Sequence, residues 1–269
     1  MANEMTNNSR NIGLLVVSCD KYSDLWEPFF ACMQKNWPDC PYEIYLLANY
    51  KNTDVKGVRT ILIGEDLSWS DNVLTGLSKI NEDYIIMFID DLLIKEKVDT
   101  PAVKNLLSWM VKKDANYLRL SPTPKPDKTY NDLVGIVSPG TIYRASTVLS
   151  VWKKNTLCQL LVRGESAWDF EVFGTVRSDN YNQFYSTHFS LIEVLNSVIK
   201  GKWQKSAIEF MQRSKITYSG MRNVMSLSEA FKFKLKIIRS KLLTLVPARY
   251  RRKVKEIFVN GKYNYMVLD

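Results

Sequence analysis

Two adjacent carboxylates, Asp90 and Asp91, follow directly on the most hydrophobic run of the chain, YIIMFI at residues 84–89. A short, continuous apolar run reads as a central strand. Acids at the end of such a strand are costly to bury unless something positive meets them. A divalent cation bridging substrate phosphates is the usual solution, because Mg2+ and Mn2+ take oxygen ligands and keep positions open for phosphate. Asp is also frequent in turns, but the second apolar run at 92–94 favours the functional reading. A further cluster lies in RGESAWDFE, residues 163–171. A helix starting at Glu165 puts Glu165, Trp168 and Asp169 on one face, with Glu171 about 120° away from it. A carboxylate beside an indole suits sugar chemistry: the acid takes a hydroxyl proton while the ring packs on the C–H face of a pyranose. The same acids also suit a plain amphipathic helix, whose dipole favours them in its first turn.

The elements that must position these residues alternate. IGLLVVS at 12–18 reads as a buried strand and 24–35 as a helix, broken at Trp37-Pro38-Asp39. Strands are predicted at 43–48, 59–63 and 84–89. Ser70 reads as the N-cap of a helix carrying Val73, Leu74, Leu77 and Ile80 on one face, and Thr100-Pro101 opens another that runs to about residue 113. This strand–helix alternation predicts an α/β fold with a mixed, mostly parallel central sheet flanked by helices. Such sheets bind ligands beyond the carboxyl ends of their strands, which selects residues 18–20, 48–49 and 90–91. Beyond Tyr117 the pattern predicts a strand at 117–120, a proline-rich loop at 121–132, a strand at 142–144, and helices at 146–153, 165–173 and 189–199. No internal repeat and no linker precede Gly220, so residues 1–220 read as one domain and 221–269 as a basic helical extension.

Composition narrows the chemistry. The chain has 269 residues, 46% of them hydrophobic, which excludes a disordered, collagen-like or coiled-coil protein. Cys19, Cys32, Cys40 and Cys158 show no C-x-x-C spacing and read as reduced, mostly buried thiols. With His188 the only histidine, a Cys2His2 or His-rich metal site is disfavoured, and no G-x-S-x-G elbow supports a serine hydrolase. The polar start, residues 1–11, lacks the features of a signal peptide, and no apolar run reaches the ~20 residues of a bilayer span. These features predict a cytoplasmic protein.

The order of the motifs resembles the GT-A fold of nucleotide-sugar glycosyltransferases, over roughly residues 12–205. The first strand ends in Ser18-Cys19-Asp20, and Ile89-Asp90-Asp91 looks like the D-x-D metal motif, with Ile where the first Asp usually stands. The run from Leu67 to Ile94 resembles bacterial transferases of surface-polysaccharide assembly. The resemblance implies a nucleotide-diphosphate sugar donor, with Asp91 binding Mn2+ or Mg2+ and Asp90 contacting ribose or sugar. It further implies that Ser18, Asp20 and Tyr22 meet the nucleotide, and that the helix start Trp69-Ser70-Asp71-Asn72 faces the donor. Glu165 is the expected base, with Asp169 as second choice, and Trp168 the acceptor platform. His188 completes the metal shell in this reading, although a lone His also suits a structural role. Lys202, with Lys200 and Lys205, offers charge for a departing diphosphate or simply a solvated helix end. The acceptor implied is a hydroxyl of a glycan or lipid-linked glycan. Two alternatives stay open: a nucleotidyltransferase making activated sugars, although residues 18–24 lack the glycine-rich loop of that class, and a non-catalytic peripheral membrane protein of the same fold.

The net charge of +9 is unevenly placed. The last 41 residues hold eleven basic and three acidic side chains; the remainder is nearly neutral. FKFKLKIIRSKLLTLV at 231–246 puts Leu235, Ile238 and Leu242 at helical spacing, and RYRRKVK at 249–255 adds a second basic cluster. A basic amphipathic segment reads as a membrane-surface element, placing the protein on the inner face of the cytoplasmic membrane. A basic helix packed on the domain is the alternative. No nucleic-acid partner is expected, since no HTH, zinc-finger or RNP pattern is present.

Overall fold

The computed structural model describes residues 11–243 and 245–258. The chain runs β1 (Ile12–Val17), a 3-10 turn (Asp20–Leu25), α1 (Trp26–Asn36), β2 (Glu43–Ala48), β3 (Val58–Leu62), α2 (Trp69–Leu77), β4 (Tyr84–Ile89), β5 (Leu92–Ile94) and α3 (Thr100–Lys112). It continues through β6 (Tyr117–Arg119), β7 (Lys128–Thr129), β8 (Val134–Ile136), β9 (Ser150–Lys153), α4 (Lys154–Leu160) and an irregular helical stretch at 167–180. Then follow β10 (Phe184–Thr187), β11 (Val194–Asn196), β12 (Val198–Ile199), β13 (Lys202–Trp203), α5 (Lys205–Ser214), α6 (Leu227–Leu243) and α7 (Ala248–Phe258).

Alternation within buried strands sets the layers. Leu14 and Val16 of β1, with Ile86 and Phe88 of β4, join one core with Phe29 and Phe30 of α1 and Val103 and Leu107 of α3. Leu15, Val17, Ile85 and Met87 face the other side, against Val73 and Leu77 of α2 and Leu157 and Leu160 of α4. The main sheet has nine strands in the order β3-β2-β1-β4-β9-β6-β10-β8-β7. It is parallel from β3 to β4, while β9 and β8 run against the rest. This is the mixed, mostly parallel α/β sheet that the alternation predicts. The chain builds β2 and β3 on one side of β1 and then returns to add β4 on the other. That reversal opens a crevice beyond the carboxyl ends of β1 and β4, where open α/β sheets bind their ligands.

The second half departs from its sequence pattern. Residues 142–144 form no strand and 146–153 no helix; β9 occupies 150–153 instead. Two buried arginines account for the irregular backbone. Arg119 donates to the carbonyls of Pro124 and Tyr143, and Arg144 to those of Val137, Ser178 and Tyr181. Carbonyls satisfied by guanidinium groups need no strand ladder. The helix predicted at 189–199 is extended: β11 pairs antiparallel with β5, and β12 and β13 form a hairpin. Lys200 and Gly201 both have positive φ at its two-residue turn, which matches the right-handed twist of paired strands. All four cysteines are free thiols.

Candidate functional site

The crevice at the β1–β4 exit is a cavity of about 370 Å³. Its floor begins with a short relay. The Trp26 indole N–H donates to Ser18 Oγ at 2.7 Å, and Ser18 Oγ donates in turn to Asp90 Oδ2. Asp90 is buried. Burial pushes its carboxyl up to about 8 against the lowering hydrogen bond from Ser18, and neighbouring Asp91 adds to the rise. Burial likewise pushes Asp91 up to about 6. The Asp91 Oδ1 atom is buried with no hydrogen-bond partner. An uncompensated buried acceptor beside a cavity is a place where a cation or a donor can bind.

That orphaned oxygen beside a second carboxylate fits a hard divalent cation. Among the described residues no group of three His, Cys, Asp or Glu side chains forms a cage for one. Mg2+ and Mn2+ sites at phosphates do not need one, because substrate oxygens and water supply the other ligands. His188 does not belong to this set. It lies beyond β10, its Nε2 is 3.0 Å from the Asn131 carbonyl, and it lines a separate depression with Pro122, Lys125 and Asp127.

Of the other residues expected at the site, Tyr22, Asn72 and Trp168 line the cavity. Asn72 is fixed there by donating to Asp66 Oδ1 and accepting from Leu67 N. Trp168 is 72% exposed, an indole held out beside the acids. Asp20 points elsewhere: its carboxylate accepts the backbone N–H groups of Asn49, Tyr50 and Lys51, tying the β1 exit to the β2 exit. Ser68, and not Ser70, caps α2, accepting from Asp71 N. Ser70 is wholly buried. Asp71 accepts from Ser68, Gly164 and Arg163, bonds that hold its carboxyl below the usual range and join α2 to residues 163–164. Lys202 lies on β13 and pairs with Glu229 at 2.7 Å, away from the cavity.

Both expected bases are engaged elsewhere. Glu165 precedes the helix and forms a two-pronged pair with Arg177, at 2.8 and 2.6 Å. The helical stretch starts one residue later, at the Ser166 N-cap, and Asp169 closes a capping box by accepting from Ser166 N and Oγ. Neither acid lines the cavity; Glu171 does. A π turn at Phe170–Gly174 carries Glu171, and such turns are frequent at functional sites. Its Oε1 accepts from Ser146 Oγ, Thr147 N and Thr147 Oγ1 at 3.0–3.1 Å. Oε2 has no hydrogen-bond partner among the described residues.

Asp66, Trp69 and Thr147 also line the cavity, and Arg222 braces its edge. The Arg222 guanidinium grips Asp24 through two bonds of 2.6 Å and lies 4.5 Å from the Tyr22 ring centroid. The Ser166-x-x-Asp169 capping box is legible in the sequence and engages Asp169 within its own helix turn. No local signal marks Arg222, which meets Asp24 across 198 positions.

No family model and no curated protein matches the sequence. Solved structures similar to it include a mannosyltransferase from Pyrobaculum calidifontis, in complex with GDP-Man and Mn2+ (11% identity, TM-score 0.47, 94% of this chain and 76% of that one). Another is S. aureus TarS, residues 1–349 (8%, 0.44, 65% and 60%). A third is a cytidylyltransferase from Leptospira borgpetersenii (11%, 0.43, 85% and 97%). The chain spans 60% and 43% of the two TarS structures it matches. These are loose likenesses of fold, and the functional reading below is drawn from the cavity.

Proposed function

We propose that this chain is a GT-A-like glycosyltransferase, moving a sugar from a nucleotide-diphosphate donor to a hydroxyl of a glycan or lipid-linked glycan in surface-polysaccharide assembly. Its place would be the inner face of the cytoplasmic membrane. One observation carries the transferase reading. The switch-point cavity gathers Asp66, Asp90, Asp91 and Glu171 among the rings of Tyr22, Trp69 and Trp168, and leaves Asp91 Oδ1 without a partner. Carboxylates among aromatic faces suit a ligand that is partly sugar, partly diphosphate and partly base.

The residues divide by position. Asp91 would hold Mn2+ or Mg2+, with Asp90, oriented by Ser18, beside it. When bound, the cation supplies Lewis-acid stabilisation of the leaving diphosphate. Tyr22, backed by Arg222, offers its remaining face to a base. Asn72 presents an amide to donor hydroxyls. Glu171 takes over the role expected of Glu165: its clamped Oε1 orients the carboxylate and Oε2 accepts the acceptor hydroxyl proton. Trp168 offers a stacking surface to the acceptor ring. This base assignment belongs to an inverting reaction.

The test is a thermal-shift screen of nucleotide-diphosphate sugars with and without Mn2+, followed by donor turnover for the hits. Metal-dependent stabilisation by one donor, abolished in Asp91→Ala, supports the reading. Donor affinity unchanged by both EDTA and the substitution removes the metal assignment. Release of inorganic diphosphate from a nucleoside triphosphate and a sugar phosphate would identify a nucleotidyltransferase instead.

A further inference from the structure

The two basic helices of the tail face in opposite directions. α7 turns Arg251, Arg252 and Lys255 inward. Arg251 pairs with Asp127 and Arg252 with Asp179, and Lys255 lies 4.0 Å from the centroid of the Tyr143 ring. The RYRRKVK cluster therefore supplies a clamp on the body, and two of its charges are neutralised there. α6 turns an apolar stripe outward. Leu227, Phe231, Leu235, Ile238 and Leu242 recur at helical spacing, and every one is exposed, from 46% at Ile238 to 85% at Leu227. Leu245 continues the stripe at 80%. Glu229, on the opposite side of the helix, pairs with Lys202 of β13, and Leu243 on that same side is buried, so α6 rests on the body by the side away from the stripe.

We infer that α6 lies along an anionic lipid surface, its outward stripe inserted at the headgroup boundary and α7 holding the tail to the body. Exposed Lys232 and Lys234 on the same helix supply the charge complementarity. A cationic interfacial helix with a continuous apolar face lies in the plane of such a surface, and lysines beside it are drawn to anionic headgroups. No described helix is long and apolar enough to cross a membrane, consistent with lying on it. A second copy is the poorer occupant, because stripe-to-stripe packing would set Lys232 and Lys234 of two chains against each other, and like charges across an interface oppose association. The docking itself needs no donor and stands or fails separately from the transferase reading.

The experiment is co-sedimentation of the full chain with vesicles of phosphatidylcholine and phosphatidylglycerol in equal parts, and of phosphatidylcholine alone, at low and high salt. Binding to the anionic vesicles, weakened by salt, is expected. Phe231→Ser/Leu235→Ser/Ile238→Ser, at solvent-exposed positions and checked for folding by near-ultraviolet circular dichroism, should lower binding by about tenfold or more. Lys232→Glu/Lys234→Glu should lower it several-fold, and Arg251→Ala/Arg252→Ala should retain it. Wild-type protein that ignores anionic vesicles overturns the inference. So does a folded stripe variant that binds like wild type, or a loss confined to the arginine variant. A dimer that the stripe variant dissolves, without vesicle binding, would give the face to a second copy.

Discussion

The cavity has two sides built by different means. Its floor, Ser18, Asp90 and Asp91, sits on the ends of β1 and β4, whose register is fixed by six consecutive residue pairs, five of them buried on both strands. Its wall, Thr147, Trp168 and Glu171, stands on residues 138–149 and a helical stretch interrupted by a π turn. No strand ladder secures that wall. It is held by side chains reaching backbone: Arg144 to three carbonyls, Thr175 Oγ1 to Ala145, and Arg252 to Thr141 and Thr175. Floors of this kind position atoms rigidly through packing. A wall assembled from single side chains is easier to displace, and on the proposed reading it is where the acceptor would enter.

The contrast predicts effects of different kinds. The largest belongs to Glu171. Glu171→Gln keeps the hydrogen-bonding shape of the side chain but not its basicity, and should lower turnover of a donor–acceptor pair by about 10²–10⁴-fold. Near-normal turnover would return the base to another group. Asp91→Asn, on the floor, should cut turnover by at least about a hundredfold and also remove the metal dependence of donor binding, read by calorimetry with and without Mn2+. Glu171→Gln should leave that dependence intact; if both variants lose it equally, floor and wall form one site.

Glu165→Gln probes the same segment without touching the cavity. It breaks a two-pronged pair with Arg177, whose side chains are 13% and 21% exposed. Loss of a charged hydrogen bond there should cost about 2 kcal/mol in chemical denaturation, while turnover of the remaining folded protein stays near wild type. Trp168→Ala should do the opposite, leaving stability within about 0.5 kcal/mol and raising KM for the acceptor. An unchanged KM would leave that indole without a role.

The smallest effect concerns pH. Burial pushes the Lys255 ammonium down to about 8, against the raising influence of Glu171. Between about 8 and its ordinary value of 10.5 the folded state therefore binds fewer protons than the unfolded one. Stability rises with pH through that window and the penalty is fully present below it. Amide exchange across residues 248–258 should slow, relative to its intrinsic rate, as pH passes from 8 towards 10. Lys255→Met should flatten that trend.

The floor was legible because its determinants are local. An apolar run of strand length, an acid pair at its end and a β/α alternation before it suffice to predict a switch-point crevice, and β2 and β4 fall on the predicted residues. The strand expected at 142–144 and the helix at 189–199 failed for the opposite reason. The Tyr143 carbonyl is taken by buried Arg119, and residues 194–196 pair with β5, partners far away in sequence. The tail divides in the same way. Its amphipathic spacing predicts a helix at 231–246, and α6 covers most of it, but the sequence does not say which basic cluster is neutralised by Asp127 and Asp179.

The sequence by itself determined the α/β class, the parallel half and the acids at its carboxyl edge, since strand burial and periodicity are properties of neighbouring residues. Only the tertiary structure decided which carboxylate faces the cavity. Glu165 and Asp169 have the right type and spacing, but an arginine and a helix cap engage them first. Glu171 reaches the cavity from a π turn, where Ser146 and Thr147 hold it. The free oxygen of a carboxylate is what remains after its neighbours have taken their hydrogen bonds, and those neighbours are assigned by the fold.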